Sequence, residues 1–236
     1  MRNYGRGFTL AIVFATITLG LTVGAQQDLT PENDVPVLDL KQAEKTGSDQ
    51  LKGRKRSQSL RQSIRIEELP AGVEPLPTNI HVWQHLAALP VEESNAIVLG
   101  KVTDRRAVLI DDKFGIYSEF SIRISEILKD DLNGFSPDQM ISTSRPGGAV
   151  LFPSGKIQQY TIAGQGYPQQ DKAYVLFLKR DEPGDYSILT GYEVTGGVVQ
   201  PLDGKRNLAK NEPDTQFGIF RGVTLESFRT ALKKAL

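Results

Sequence analysis

Between about residues 95 and 203 the chain is written in short runs in which apolar and polar side chains alternate, the period of a strand with one buried face. Runs at 96–103, 106–111, 115–128, 139–144, 148–152, 156–163, 172–180, 185–195 and 198–202 predict strands. "DDKFG", "RPGG", "FPSG", "DEPGD" and "TGGV" predict the turns, since each offers glycine where a positive φ is needed. The clearest hairpin signal is "VTGGVV", whose two glycines suit a two-residue primed turn. "AIVLGKV" and "AYVLFLK" are apolar on both faces, so something must cover each of them on both sides.

The stretch "IYSEFSIRISEILKDD", residues 116 to 131, changes phase in mid-course. Ile116, Phe120, Ile122 and Ile124 hold one face, and the pattern then slips at Glu126 and Ile127. A bulge at 125 to 127 explains the slip, because one extra residue transfers every later side chain to the other face. Long strands that bend in this way belong to closing barrels. The competing reading is that the strand ends at Ser125 and "EILKDDLNG" turns away. The fold class expected is mainly β, an antiparallel barrel that is closed or partly closed.

Helical periodicity is confined to two places. "GVTLESFRTALKKAL" predicts a C-terminal helix over 224–236, with Thr224 as N-cap and Glu226 in the first turn. Leu225, Phe228, Leu232 and Ala235 or Leu236 form its apolar stripe. Residues 66–93 are punctuated by Pro70, Pro75, Pro77 and Pro90. Within them "NIHVWQHLAAL" predicts a short helix before the barrel, a lid held down by Trp83.

The first 25 residues read as an export signal: Arg2 and Arg6 lead, residues 8 to 22 are mostly apolar, and Val23-Gly24-Ala25 offers a cleavage site. The mature protein would then start near Gln26 and be secreted or periplasmic. The alternative is an inner-membrane anchor through residues 8–25, since that stretch approaches the ~20 residues a spanning helix needs. Losing Arg2 and Arg6 leaves 26 basic residues (28 − 2) against 28 acidic ones, a balance that does not advertise a nucleic-acid partner.

Residues 26–65 read as a disordered polar and basic arm. Within it Lys52, Arg54, Lys55, Arg56, Arg61 and Arg65 could touch an anionic surface, or be a solvated linker. The domain proper, 94–236, contains no cysteine, so its core has to stabilise it without disulfides.

The order "IVLGKV", "IYSEFSIRISEILK", "RPGG", "AYVLFLKR" and "ILTGYEV…GGVVQPLD", covering about residues 95 to 203, resembles a group of exported bacterial proteins of unknown function. Their folded part is similar to the OB-like barrel of netrin-like modules and tissue inhibitors of metalloproteinases. The resemblance implies an OB-like or netrin-like barrel. In those inhibitors an N-terminal cysteine chelates the protease zinc; with no cysteine here, no inhibitory residue carries over.

Candidate chemistry is sparse. His81 and His85 stand at i,i+4 and could share a helix face as metal ligands, but "HVWQH" lacks the metalloprotease glutamate and no third ligand is signalled. Ser154 and Lys156 are neighbours on a turn and would diverge if a strand follows. The acidic pairs Asp111-Asp112, Asp130-Asp131 and Asp181-Glu182 sit in predicted turns, where turn chemistry accounts for them.

For binding, Arg145, Tyr160, Gln165 and Tyr167, on or beside the glycine loops, could form a polar and aromatic surface of the kind OB barrels present. The alternative is that Tyr160 is core and the rest ordinary loop. The expected function is an exported, non-enzymatic binding or interaction module without a cofactor, its partner a protein or a cell-envelope polysaccharide rather than a nucleic acid. Two alternatives stand beside it: an inhibitor of an exported protease, and a metal-dependent hydrolase using His81 and His85.

Overall fold

The computed structural model describes residues 35–46, 65–70, 72–73, 85–110, 113, 115–182, 185–204 and 215–236. The export signal, the basic cluster Lys52 to Arg56, Arg61, His81 and Trp83 lie outside the described residues. Nine strands are found in the described chain: β1 (Val37–Asp39), β2 (Ala96–Leu109), β3 (Ile116–Asp130), β4 (Met140–Pro146), β5 (Gly148–Leu151), β6 (Ile157–Tyr160), β7 (Ala173–Glu182), β8 (Asp185–Thr195) and β9 (Val198–Pro201). Helix α1 (Leu40–Thr46) follows β1, and a 3-10 turn (Gln216–Phe220) precedes the C-terminal helix α2 (Leu225–Ala235).

The protein is mainly β, and its principal sheet curls into a partly closed barrel. β2 runs antiparallel to both β3 and β7, β3 to β4, and β7 to β8. The ring closes where β4 meets β8 in parallel, through Thr143 opposite Tyr186 and Ser144 opposite Ser187. This is OB-like topology: a five-strand Greek-key ring whose third and fifth strands run parallel. β9 extends β8 outside the ring, and β1, β5 and β6 form a separate small sheet.

The phase slip in β3 is a bulge. Gly100 pairs with Ile124 and Leu99 with Glu126, leaving Ser125 unmatched. Ile122 and Ile124 face the barrel interior before it; after it Ile127 packs on the interior cluster and Leu128 on the outer one. β2 carries a counterpart at Thr103, so that Val102 and then Ala107 and Leu109 stay on the inward side.

β2 and β7 are apolar on both faces because two cores use them. Ala96, Val98, Tyr174, Leu176 and Leu178 line the interior, while Ile97, Val175 and Phe177 face an outer core closed by Phe217, Phe228 and Leu232. Tyr192 stacks edge or tilted against Phe177, Phe220 and Phe228 at centroid distances of 6.3, 5.8 and 4.7 Å.

Helix α2 is capped as its sequence predicts, the Ser227 amide donating to Thr224 Oγ1 at 3.3 Å. Such a cap contributes about 1 kcal/mol. Burying Phe228 and Leu232 contributes about 1.5–3 kcal/mol each, so packing outweighs capping in holding the helix. Ala235 and Leu236 continue past the covered stripe and are exposed.

Four local expectations change. The runs 96–103 and 106–111, expected as two strands, are one strand, β2, which continues through a bulge at Thr103. Residues 37–46, assigned by composition to the arm, instead form β1 and α1, with Val37, Leu38 and Asp39 pairing with Ala149, Val150 and Leu151 and with Leu38, Leu40 and Ala43 buried. "RPGG" is not a turn: Arg145 and Pro146 belong to β4, β5 starts at Gly148, and Gly147 alone, at φ +91°, steers the chain from one sheet to the other. Finally, the described part of the expected lid, from His85 to Leu89, is turn and irregular backbone, with Leu86 and Leu89 packed on the outer core. "TGGV" is the expected primed hairpin, with Gly196 and Gly197 at φ +60° and +78°.

The tight crossing of β2 and β3 depends on Gly100, where an added Cβ would lie 2.6 Å from Ile122 Cγ2 and 2.8 Å from the Arg123 carbonyl oxygen. Gly100→Val is expected to cost about 1–3 kcal/mol in urea unfolding. Gly134→Ala, with nothing within 4 Å, should stay within about 0.5 kcal/mol of wild type. Equal effects of the two would contradict this account of the crossing.

Candidate functional site

Arg145 stands near the end of β4, at the seam of the barrel, and its side chain is 1 % exposed. All five guanidinium N–H groups find acceptors. Nη1 and Nη2 donate to Asp203 Oδ1 and Oδ2 at 2.7 and 2.5 Å, a bidentate pair. Nη1 also donates to the Gly166 carbonyl, Nη2 to that of Leu189 at 3.0 Å, and Nε to that of Ile188 at 3.4 Å. Asp203 Oδ1 in turn accepts the Gly166 amide at 2.8 Å. A side chain at Gly166 would meet the Leu202 carbonyl oxygen at 2.0 Å, so only glycine fits this loop.

Gln165 and Tyr167 converge on the same corner. Gln165 Nε2 and the Tyr167 hydroxyl both donate to the Pro146 carbonyl, at 2.7 and 3.0 Å. A Cβ at Gly147 would lie 2.2 Å from the Tyr167 hydroxyl and 2.6 Å from the Tyr160 carbonyl oxygen, which accounts for glycine there. Tyr160 is itself a core residue, buried with Leu38, Val150 and Phe152.

The four residues expected to form an exposed binding surface are thus brought to one region but buried, with Arg145, Gln165 and Tyr167 bonded to main chain. As placed, they lock the corner where β4 gives way to β5. Asp203 was missed by sequence reasoning. Its one local signal is a carboxylate closing the apolar run "GGVVQPLDG", and nothing in spacing ties it to Arg145.

The remaining candidates are dispersed. His85 is exposed in a turn, and among the described residues no group of three His, Cys, Asp or Glu side chains is placed to hold a metal. Ser154 and Lys156 do not diverge as expected but both reach residues 68–70, the hydroxyl donating to Glu68 Oε1 at 2.6 Å and the ammonium to the Leu69 and Pro70 carbonyls at 2.8 Å each. Asp130 caps its loop, its carboxylate accepting the amides of Leu132, Gly134 and Phe135 at 3.1, 2.9 and 2.9 Å. That is the turn chemistry expected of this acidic pair.

On the surface, a groove of about 290 Å³ runs between the last residues of β3 and α2, lined by Glu126, Leu128, Arg229, Lys233 and Leu236 among others. Arg229 bridges Glu126 on β3 and, at 2.7 Å, Glu226 on α2. Its Nε–H is buried without an acceptor among the described residues. β4 pairs with β3 only as far as Arg123, and the Ile124 amide reaches Gln139 at 3.0 Å. Beyond that point the β4 side of β3 has no strand partner among the described residues. A second cleft, of about 250 Å³, lies among Leu40, Ile66, Leu109, Lys113 and Phe152.

The chain matches no protein-family model and no curated protein sequence.

Burial holds three phenols well above the ordinary tyrosine range. Desolvation dominates for Tyr167, opposed by Arg145 and Gln165; it dominates for Tyr174, opposed by the Gln169 amide; and it is reinforced at Tyr192 by Asp203. The folded state therefore prefers the protonated phenol. Stability from this source is fully present below the unfolded value of about 10 and is lost as pH rises through the folded values. In an alkaline titration followed by tyrosinate absorbance, Tyr167, Tyr174 and Tyr192 should ionise only as the barrel unfolds. Ionisation of every tyrosine near pH 10 in a still-folded chain would contradict their placement.

Proposed function

We propose that the chain is an exported, non-enzymatic interaction module that binds a protein partner in the groove between β3 and α2. The observation that carries this reading is the buried, acceptor-free Nε–H of Arg229 beside the open edge of β3. A buried donor without an acceptor is costly, and an incoming main-chain carbonyl would satisfy it. The open edge supplies further main-chain groups for strand addition, while Leu128 and the exposed Leu236 give the groove apolar surface.

Export rests on Arg2, Arg6 and the apolar residues 8 to 22, with the mature chain beginning near Gln26. Among the described residues no helix is long and apolar enough to cross a membrane.

The test is site-directed photo-cross-linking of the full chain, expressed in its own cells, with the probe at Lys233 or at the exposed Asp171 as control. A discrete protein adduct is expected from position 233 and not from 171, and it should disappear with Arg229→Met. Adducts independent of probe position, or unaffected by that substitution, would overturn the groove. N-terminal sequencing of the same material should start near Gln26, and an intact Met1 would overturn cleavage.

A further inference from the structure

Residues 65–70 and 72–73 form a strap lying against the β5–β6 hairpin, held largely by hairpin side chains on its main chain. Ile66 anchors it, buried in the core under the small sheet with its amide on the Lys113 carbonyl at 2.7 Å. From Glu67 onward it is held by hydrogen bonds from hairpin side chains. The Tyr160 hydroxyl donates to the Glu67 carbonyl at 3.3 Å, and Gln158 Oε1 accepts the Leu69 amide at 3.0 Å. Lys156 Nζ donates to the carbonyls of Leu69, Pro70 and Val73 at 2.8, 2.8 and 3.4 Å. Ser154 reads a strap side chain, the carboxylate of Glu68.

Two further facts mark this as a site rather than a packed segment. Glu67, Glu68, Pro70 and Val73 are exposed and Leu69 is half-buried, so lifting residues 67–70, 72 and 73 uncovers little apolar surface and asks for only local opening. The surface beneath is built for main chain. Gln158 is 2 % exposed and its Nε2 has no acceptor among the described residues, and β6 forms ladder rungs only with β5.

We propose that the β5–β6 hairpin is a peptide-binding site occupied in cis by residues 67–70, 72 and 73, and that it exchanges this strap for an extended acidic segment of a partner protein. Lys156, Gln158 and Tyr160 read the ligand's main chain, Gln158 Nε2 takes a carbonyl the strap does not supply, and Ser154 selects an acid. The ligand class is therefore a strand with paired acids followed by an apolar residue and a proline turn, as in the strap's own "EELP". The strap is an autoinhibitory stand-in. This deepens the interaction-module reading at a second place on the barrel.

The test uses the full chain and a fluorescent peptide of the strap sequence, RIEELPAGV, with binding read by anisotropy. Leu69→Pro removes the amide that Gln158 accepts and should release the strap, raising peptide affinity about tenfold because the open site is no longer a minor state. Adding Lys156→Met should abolish that gain while leaving the near-UV spectrum of the barrel unchanged. A folded L69P chain that binds no better than wild type, or a gain that survives K156M, would overturn the proposal. If L69P does not fold, hydrogen exchange of the unsubstituted chain decides. Its Leu69 amide should exchange faster when excess peptide is added, and unchanged exchange would overturn the proposal equally. Cross-linking from Lys233 does not involve Lys156, so failure here leaves the β3–α2 groove standing.

Discussion

The fold is governed by a charge that has to be buried. Arg145 and Asp203 are 1 % and 0 % exposed, and removing two ions from water costs several kcal/mol each before any attraction is counted. The arrangement is sustained because no donor of the guanidinium is left over: two N–H groups meet the carboxylate and three meet carbonyls. Those carbonyls belong to β8 and to the 164–168 loop, and Asp203 follows β9. One side chain on β4 therefore ties together the pieces that must meet for the barrel to close. Direct pairing of β4 with β8 amounts to Thr143–Tyr186 and Ser144–Ser187, too short a ladder to define the seam alone. The ion pair continues it.

From that seam the rest follows in layers. With the ring closed, the inward faces of β2, β3, β7 and β8 share one apolar interior, and the outward faces of β2 and β7 require a second cover. The aromatic group around Tyr192, with Phe217, Phe228 and Leu232, provides it. The Tyr192 hydroxyl reaches the Ala88 carbonyl at 2.6 Å, tying the segment before the barrel to the same core. Gly147 then sends the chain out of the barrel into the small sheet, where β1 and the strap are gathered. The proposed binding surfaces, the β3–α2 groove and the β5–β6 hairpin, lie at the margins of these layers, where strand edges lack ladder partners among the described residues.

What was legible in the sequence is what local chemistry decides. Alternation placed the strands from Ala96 to Pro201 but split β2 at its Thr103 bulge, the slip at Glu126 announced the bulge at Ser125, and Gly196-Gly197 and Thr224 declared a hairpin and a cap. Each of these depends on neighbours a few residues away. Arg145 was misread as an exposed side chain because its partner lies 58 residues on, and a buried arginine looks like a surface one until its carboxylate is known. "RPGG" was misread as a turn for the same reason, since whether a Pro-Gly step reverses a chain or bends it between sheets depends on what waits beyond. β1 carries three rungs of parallel pairing to β5, a contact that composition cannot announce, so its segment read as arm.

Arg145 and Asp203 close the barrel rather than decorate it, and urea unfolding of Arg145→Met beside the double substitution Arg145→Met, Asp203→Leu tests this most directly. The single change strands a buried carboxylate and should cost about 3–5 kcal/mol, with the double recovering much of that loss. A loss below about 1 kcal/mol for the single change, the size expected of an exposed ion pair, would show that the seam holds without them.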